Sequence, residues 1–180
     1  MRRICYSVAM SLDGYIAGPK GEYDWIPMDP DVDFAEMGSR FDTLLMGRGT
    51  YQPFAGQDAA GGPFANMAIL VVSTTLRQAD HPGVTIINDL NATVLDQLRA
   101  KPGKDIWLFG GGALFRSLLD LGQVDVVEVA VVPVLLGGGV PFLPAPARRT
   151  KLSLSSNRLF SKSGMMTLEY TARPDRKSVV

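Results

Sequence analysis

Three short runs carry groups that could hold phosphate: Gly47-Arg48-Gly49-Thr50, Ser73-Thr74-Thr75 and Gly110-Gly111-Gly112. Glycine opens backbone angles closed to other residues and lets a ligand approach the main chain closely. Where such a run opens a helix, the uncapped first-turn amides add donors and a partial positive charge. Arg48 brings a fixed charge, and the second run a row of hydroxyls. Together they suit an extended ligand with several phosphates, such as a dinucleotide. Taken singly, each has a plainer reading, since a lone Arg is commonly a solvated charge and Ser73–Thr75 an ordinary turn.

The runs do not match the common nucleotide fingerprints. GGGALF lacks the Lys of a P-loop, and no GxGxxG follows the first strand, which disfavours kinases, NTPases and Rossmann dehydrogenases. With one Cys, Cys5, and one His, His81, a Cys/His metal site is not expected. Eighteen basic residues balance eighteen acidic ones, so nothing in the charge calls for nucleic acid or an anionic membrane. No signal-like or membrane-spanning run is present, and the cytoplasm is the expected location.

Each phosphate-friendly run follows an apolar segment. Thr43–Met46 precedes the first, Met67–Val72 the second, and Ile106–Phe109 the third. After the last glycines, Leu114, Phe115, Leu118, Leu119 and Leu121 recur at helical spacing. Ile4–Met10, Val84–Ile87 and Val124–Leu136 read as further strands, the last broken by Pro133. Leu152–Phe160 and Met165–Ala172 read as a hairpin turning at Ser161–Gly164. Asp29 and Asn91 are expected to cap helices, the first running from Pro30 toward Phe41 and the second ending near Pro102-Gly103. The pattern predicts one α/β domain over residues 1–180, with a frayed tail at about 174–180. Its central sheet is mostly parallel, its C-terminal strands antiparallel, and the three runs share the carboxyl edge of the parallel strands.

Two groups of residues near that edge stay open at this point. Asp13 leaves the first strand at the ligand side and is the best candidate for a catalytic polar group, while Asp13-Gly14 can equally be a turn. Trp25, Tyr51 and Phe54 could line an aromatic substrate pocket or be plain core.

The order SLDGYIA, LLMGRGTY, VVSTT and LFGGGALF resembles the dihydrofolate-reductase-like family, in particular stand-alone proteins similar to the reductase domain of bifunctional riboflavin-biosynthesis enzymes. The resemblance runs from about Arg3 to Ala172 and implies a three-layer fold with helices on both sheet faces. It implies an NADPH-dependent reductase acting on a small heterocycle. Gly47, Arg48 and Thr50 would form the first cofactor turn, and Ser73 and Thr74 would meet the adenosine phosphate region. Gly110, Gly111, Gly112, Ala113 and Leu114 would cradle the pyrophosphate, and Ala9, Ile16 and Ala17 would flank the nicotinamide. Two departures weigh against a phosphoribosyl-aminopyrimidine substrate: Ser7 stands where the riboflavin-pathway reductases carry Lys, and Gln52-Pro53-Phe54 replaces an acidic loop. A nucleotide-binding module without turnover is the alternative. A homodimer through the late strands is expected, because Val126–Leu136 is apolar on both alternating faces and the family commonly pairs there; a strand buried within one chain would read the same.

Overall fold

The computed structural model describes residues 1–55, 64 and 66–172, the side chain of Phe54 excepted. The tail expected to fray at 174–180 lies outside the described residues. Among the described residues, ten strands and four α-helices follow one another as β1 (Ile4–Ser11), β2 (Tyr15–Ala17), α1 (Phe34–Ser39), β3 (Phe41–Gly47), α2 (Arg48–Tyr51), β4 (Ala68–Val72), β5 (Thr85–Ile87), α3 (Ala92–Ala100), β6 (Asp105–Gly110), α4 (Gly112–Asp120), β7 (Val126–Val132), β8 (Val140–Pro141), β9 (Leu152–Leu159) and β10 (Met166–Ala172).

Eight strands form one sheet in the order β5-β4-β3-β6-β1-β7-β10-β9, and β2 and β8 form a separate two-stranded ribbon. Neighbours are parallel from β5 to β7, and β10 runs antiparallel to both β7 and β9. This is the mostly parallel sheet with antiparallel final pairings that the segment order predicts. Strand β1 is buried on both faces, as a central parallel strand should be. Ile4 and Tyr6 enter one apolar cluster with Leu95 and Leu98 of α3 and Leu114, Phe115 and Leu118 of α4. Cys5 enters a second, with Met37 of α1 and Tyr51 of α2. Helices therefore cover both faces. Burial pushes the Cys5 thiol up to about 12, which makes it a small core residue rather than a nucleophile.

Two local expectations change. The helix expected from Asp29 and Pro30 begins at Phe34 instead, because Asp33 is the cap and accepts from the Glu36 amide. Asp29 accepts from the amides of Asp31 and Ser163 and so ties this segment to the β9–β10 turn. The expected long strand to Leu136 ends at Val132, where Pro133 removes a ladder donor.

Ion pairs gather at the amino ends of the parallel strands. Arg2 pairs with Asp42, Arg3 with Asp105 at 2.6 Å, and Arg99 with Asp125 at 2.9 Å. A cavity of about 300 Å³ there is lined by Arg2, Arg99, Lys101 and Asp105 among others. It lies at the opposite end of the strands from the glycine runs.

Candidate functional site

Strands β4, β3 and β6 are neighbours, so the three phosphate-friendly runs emerge side by side at the carboxyl edge. Gly47 lies opposite Val72, and Met46 opposite Gly110. Gly110 has φ +145°, a conformation that favours glycine, and a side chain there would lie 3.3 Å from the Thr50 hydroxyl. The Gly110–Gly111 peptide bond is cis. Gly47 approaches the same turn, its ideal Cβ 3.9 Å from the Gly110 carbonyl oxygen and the Gly111 nitrogen. Gly111 caps α4 without a side-chain hydrogen bond, which leaves first-turn amides for an anion. Ala113 and Leu114 lie in that first turn, and Leu114 is also buried in the core.

At the far side of β3, Arg48 donates to the Thr75 hydroxyl at 3.0 Å. The Ser73 hydroxyl accepts from the Thr75 and Leu76 amides at 3.2 and 3.1 Å, so it builds the turn from within. Asn88 holds that turn from β5's end, donating to the Ser73 carbonyl at 2.6 Å. Thr74 is exposed. Thr75, rather than Ser73, is the hydroxyl that meets Arg48, a pairing that needs knowledge of strand adjacency.

Ala9 lies near the carboxyl end of β1, and Ile16 and Ala17 lie on β2. The β2–β8 ribbon joins them to the glycine turn: Tyr15 pairs with Pro141 and Ala17 with Val140. A side chain on Gly112 would lie 2.5 Å from the Pro141 carbonyl oxygen, and one on Gly139 would lie 2.2 Å from that of Ala17. Main chain thus meets main chain along the whole path from α4 to β2.

Asp13 accepts from the Ser11 hydroxyl at 2.6 Å, from the Leu136 amide at 3.1 Å and from the Gly137 amide at 2.7 Å. Chiefly the Ser11 hydrogen bond, then the two amides, hold its carboxyl below the usual range. Gly14, with φ +92°, completes the turn, so the residue clamps the loop after β1 to the loop after β7.

Of the three aromatic residues expected to line a pocket, Trp25 and Tyr51 lie in different clusters. Trp25 packs against the cluster of Val132, Phe160 and Met165, as Ala9 does. Tyr51 is buried in the cluster on the β3–β4 side, with its hydroxyl 3.1 Å from His81 Nδ1. Phe54 ends a short 3-10 turn, and its side chain lies outside the described ones. Among the described residues, no group of three or more His, Cys, Asp or Glu could hold a metal ion, and no helix is long and apolar enough to cross a membrane.

An eight-stranded sheet with its last pairings antiparallel, helices on both faces and glycine turns at the carboxyl edge defines a dihydrofolate-reductase-like domain. Dihydrofolate reductase from Enterococcus faecalis, solved with NADP(H), superposes with a TM-score of 0.68 over 96% of this chain and 97% of its own, at 16% identity. The profile of the RibD C-terminal domain matches residues 2–163, and the chain belongs to that family. A relative from Bacillus subtilis strain 168, the uncharacterized protein YyaP, is 35% identical over 179 residues, covering 94% of both chains. A Shewanella sp. PV-4 protein, whose crystal structure carries a provisional riboflavin-biosynthesis name, has a TM-score of 0.79 at 27% identity, over 97% of this chain and 100% of its own.

Proposed function

We propose that this protein is an NADPH-dependent reductase of a small heterocyclic substrate. The observation that carries the reading is the meeting of three strand-end runs at one sheet edge, in a chain of a reductase family. In this reading the amides of Gly110, Gly111, Gly112, Ala113 and Leu114 hold the pyrophosphate. Gly47 and Thr50 support that turn from β3. Arg48, with the turn of Ser73, Thr74 and Thr75, receives the adenosine-side phosphate as a charge-assisted contact. Ala9, Ile16 and Ala17 fix the nicotinamide face, and bound NADPH supplies the hydride. Asp13 acts by holding Ile16 and Ala17 in place through its clamp to Leu136 and Gly137. Trp25 packs against the same cluster as Ala9, and in this reading it borders the substrate. A cytoplasmic location goes with this reading.

Titration with NADPH, followed by fluorescence of Trp25 and Trp107, tests the cofactor. Saturable binding is expected, with NADH weaker, and no response at millimolar NADPH would refute the reading. One observation favours a second reading, a nucleotide-binding module without turnover: the Asp13 carboxylate accepts three hydrogen bonds and is held ionised, leaving no proton to give. Cofactor binding without loss of NADPH absorbance across dihydrofolate and pyrimidine panels would support that alternative.

We also propose a homodimer through the late strands. Leu152, Leu154, Leu159 and Met166 are exposed on β9 and β10, where β9 is the outermost strand of the sheet among the described residues.

A further inference from the structure

We infer that the substrate cleft excludes anions and takes an unphosphorylated heterocycle rich in hydrogen-bond donors, its floor being the cross-strand rung of Ser7, Glu128 and Glu169. The inference rests on the proposed nicotinamide position at Ala9 and assigns the substrate class of that same site.

The rung follows from register. Ser7 of β1 lies opposite Glu128 of β7, and Glu128 lies opposite Glu169 of β10. Directly paired residues point to the same side of a sheet, so the three side chains form one row. On that face, alternation puts Cys5 and Val126 on one side of the row, inside the cluster that contains Trp107 and Met37. Ala9 and Ala130 lie on the other side, in the cluster that contains Trp25 and Val32. The row is a polar strip between two apolar clusters, and Ala9 lies two residues further along β1, about 7 Å away.

Its hydrogen-bonding capacity is only partly used. Ser7 is 7% exposed, and its hydroxyl has no hydrogen-bond partner among the described residues. Glu128 is paired with Arg40 at 2.7 Å. Glu169 accepts from the Ser155 hydroxyl at 2.9 Å and has no cation within ion-pair distance among the described residues; Arg3 acts on it only at longer range and is itself held by Asp105 at 2.6 Å. Of the two carboxylates directly opposite each other, only Glu128 therefore has a guanidinium in direct contact. The next cations on the hairpin side are already turned elsewhere, Arg158 to the Asp31 carbonyl at 3.2 Å and Lys162 to the Asp31 carboxylate at 2.8 Å. Like charges facing each other across a ladder are unfavourable, and a ligand that brings N–H donors or positive charge relieves them. A phosphate or carboxylate on the ligand adds to the repulsion, which is discrimination by an unfavourable contact.

The test uses two pyrimidines of opposite character, 2,4-diaminopyrimidine and orotate, titrated calorimetrically into the full chain without cofactor. The expected result is a dissociation constant for 2,4-diaminopyrimidine at least tenfold below that for orotate. Glu169→Gln should narrow that ratio about threefold or more, and Glu128→Gln should narrow it further, because it leaves Arg40 free to meet an anion. If Glu128→Gln fails to fold by thermal melt, Glu169→Gln carries the test alone. Equal or tighter orotate binding, an unchanged ratio in a folded variant, or no binding of either compound at millimolar concentration would overturn the inference. Because these titrations omit the cofactor, their failure is separable from that of the reductase reading: NADPH binding with no charge preference rejects only the cleft assignment, and the preference without NADPH binding rejects only the cofactor.

Discussion

Arg48 is the one fixed cation among the three glycine and hydroxyl runs, and its contact with Thr75 across adjacent strand ends aims it at the proposed adenosine-side phosphate. Removing a charge-assisted hydrogen bond costs about 1.5–3 kcal/mol, so Arg48→Ala should weaken NADPH by about ten- to a hundredfold. NADH binding should change far less, and fluorescence titration of both cofactors checks the difference. Asp13 offers a second prediction. Its folded carboxyl titrates below the unfolded value of 3.8, so the unfolded chain takes up the proton first on acidification. The clamp's contribution is complete above 3.8 and is lost as pH falls through the folded value. Asp29, held chiefly by Ser163, shifts in the same direction. Thermal melts of the wild type should therefore fall steeply on acidification through this range, with a shallower fall for Asp13→Asn. The position of Arg48 and the glycines at strand ends was legible in the sequence because residue type and neighbours carry that signal. The pairing with Thr75 and the rung of Ser7, Glu128 and Glu169 were not, because both depend on strand order and register, which local pattern does not encode.

The first turn of α4 is sandwiched between the sheet and the segment around β8, and its glycine is required by that approach. A Cβ on Gly112 would lie 2.5 Å from the Pro141 carbonyl oxygen, where backbone cannot yield cheaply. Gly112→Ala should destabilise the protein by about 1–3 kcal/mol and displace the β2–β8 ribbon, weakening NADPH binding as well. Gly49→Ala is the matched control: nothing lies within 4 Å of its ideal Cβ, and it sits in helical backbone. Its melting temperature should be unchanged or raised. Thermal melts and cofactor titration of the pair separate a crowded glycine from a merely helical one. The capped start of α3 at Asn91 could be read directly from sequence, and its side chain does accept from Val94. The start of α1 could not, since the DPDVD stretch offers several Asp caps and a distant contact with Ser163 recruits the first of them.

Across the whole molecule, helices cover the sheet on both faces around β1, β3 and β6, while the β9 edge ends in exposed leucines. The proposed dimer should therefore be sensitive to charge at that end. Leu154→Lys combined with Leu159→Lys should shift sedimentation from dimer to monomer at micromolar concentration, with little change in NADPH affinity. A monomeric wild type would refute the dimer. The α/β class and sheet direction were visible from the alternation of apolar runs with helical ones. The insertion of β1 between β6 and β7 was not, because nothing within Ile4–Ser11 names its neighbours. That insertion also governs the order in which the protein can assemble. Ile4 pairs with Ile106 and Cys5 with Val126, so β1 lacks both flanking strands during synthesis until more than a hundred later residues have emerged. Nascent chains arrested shortly before residue 105 should therefore be protease-sensitive and dependent on chaperones, and resistance should appear only once β7 has cleared the exit tunnel.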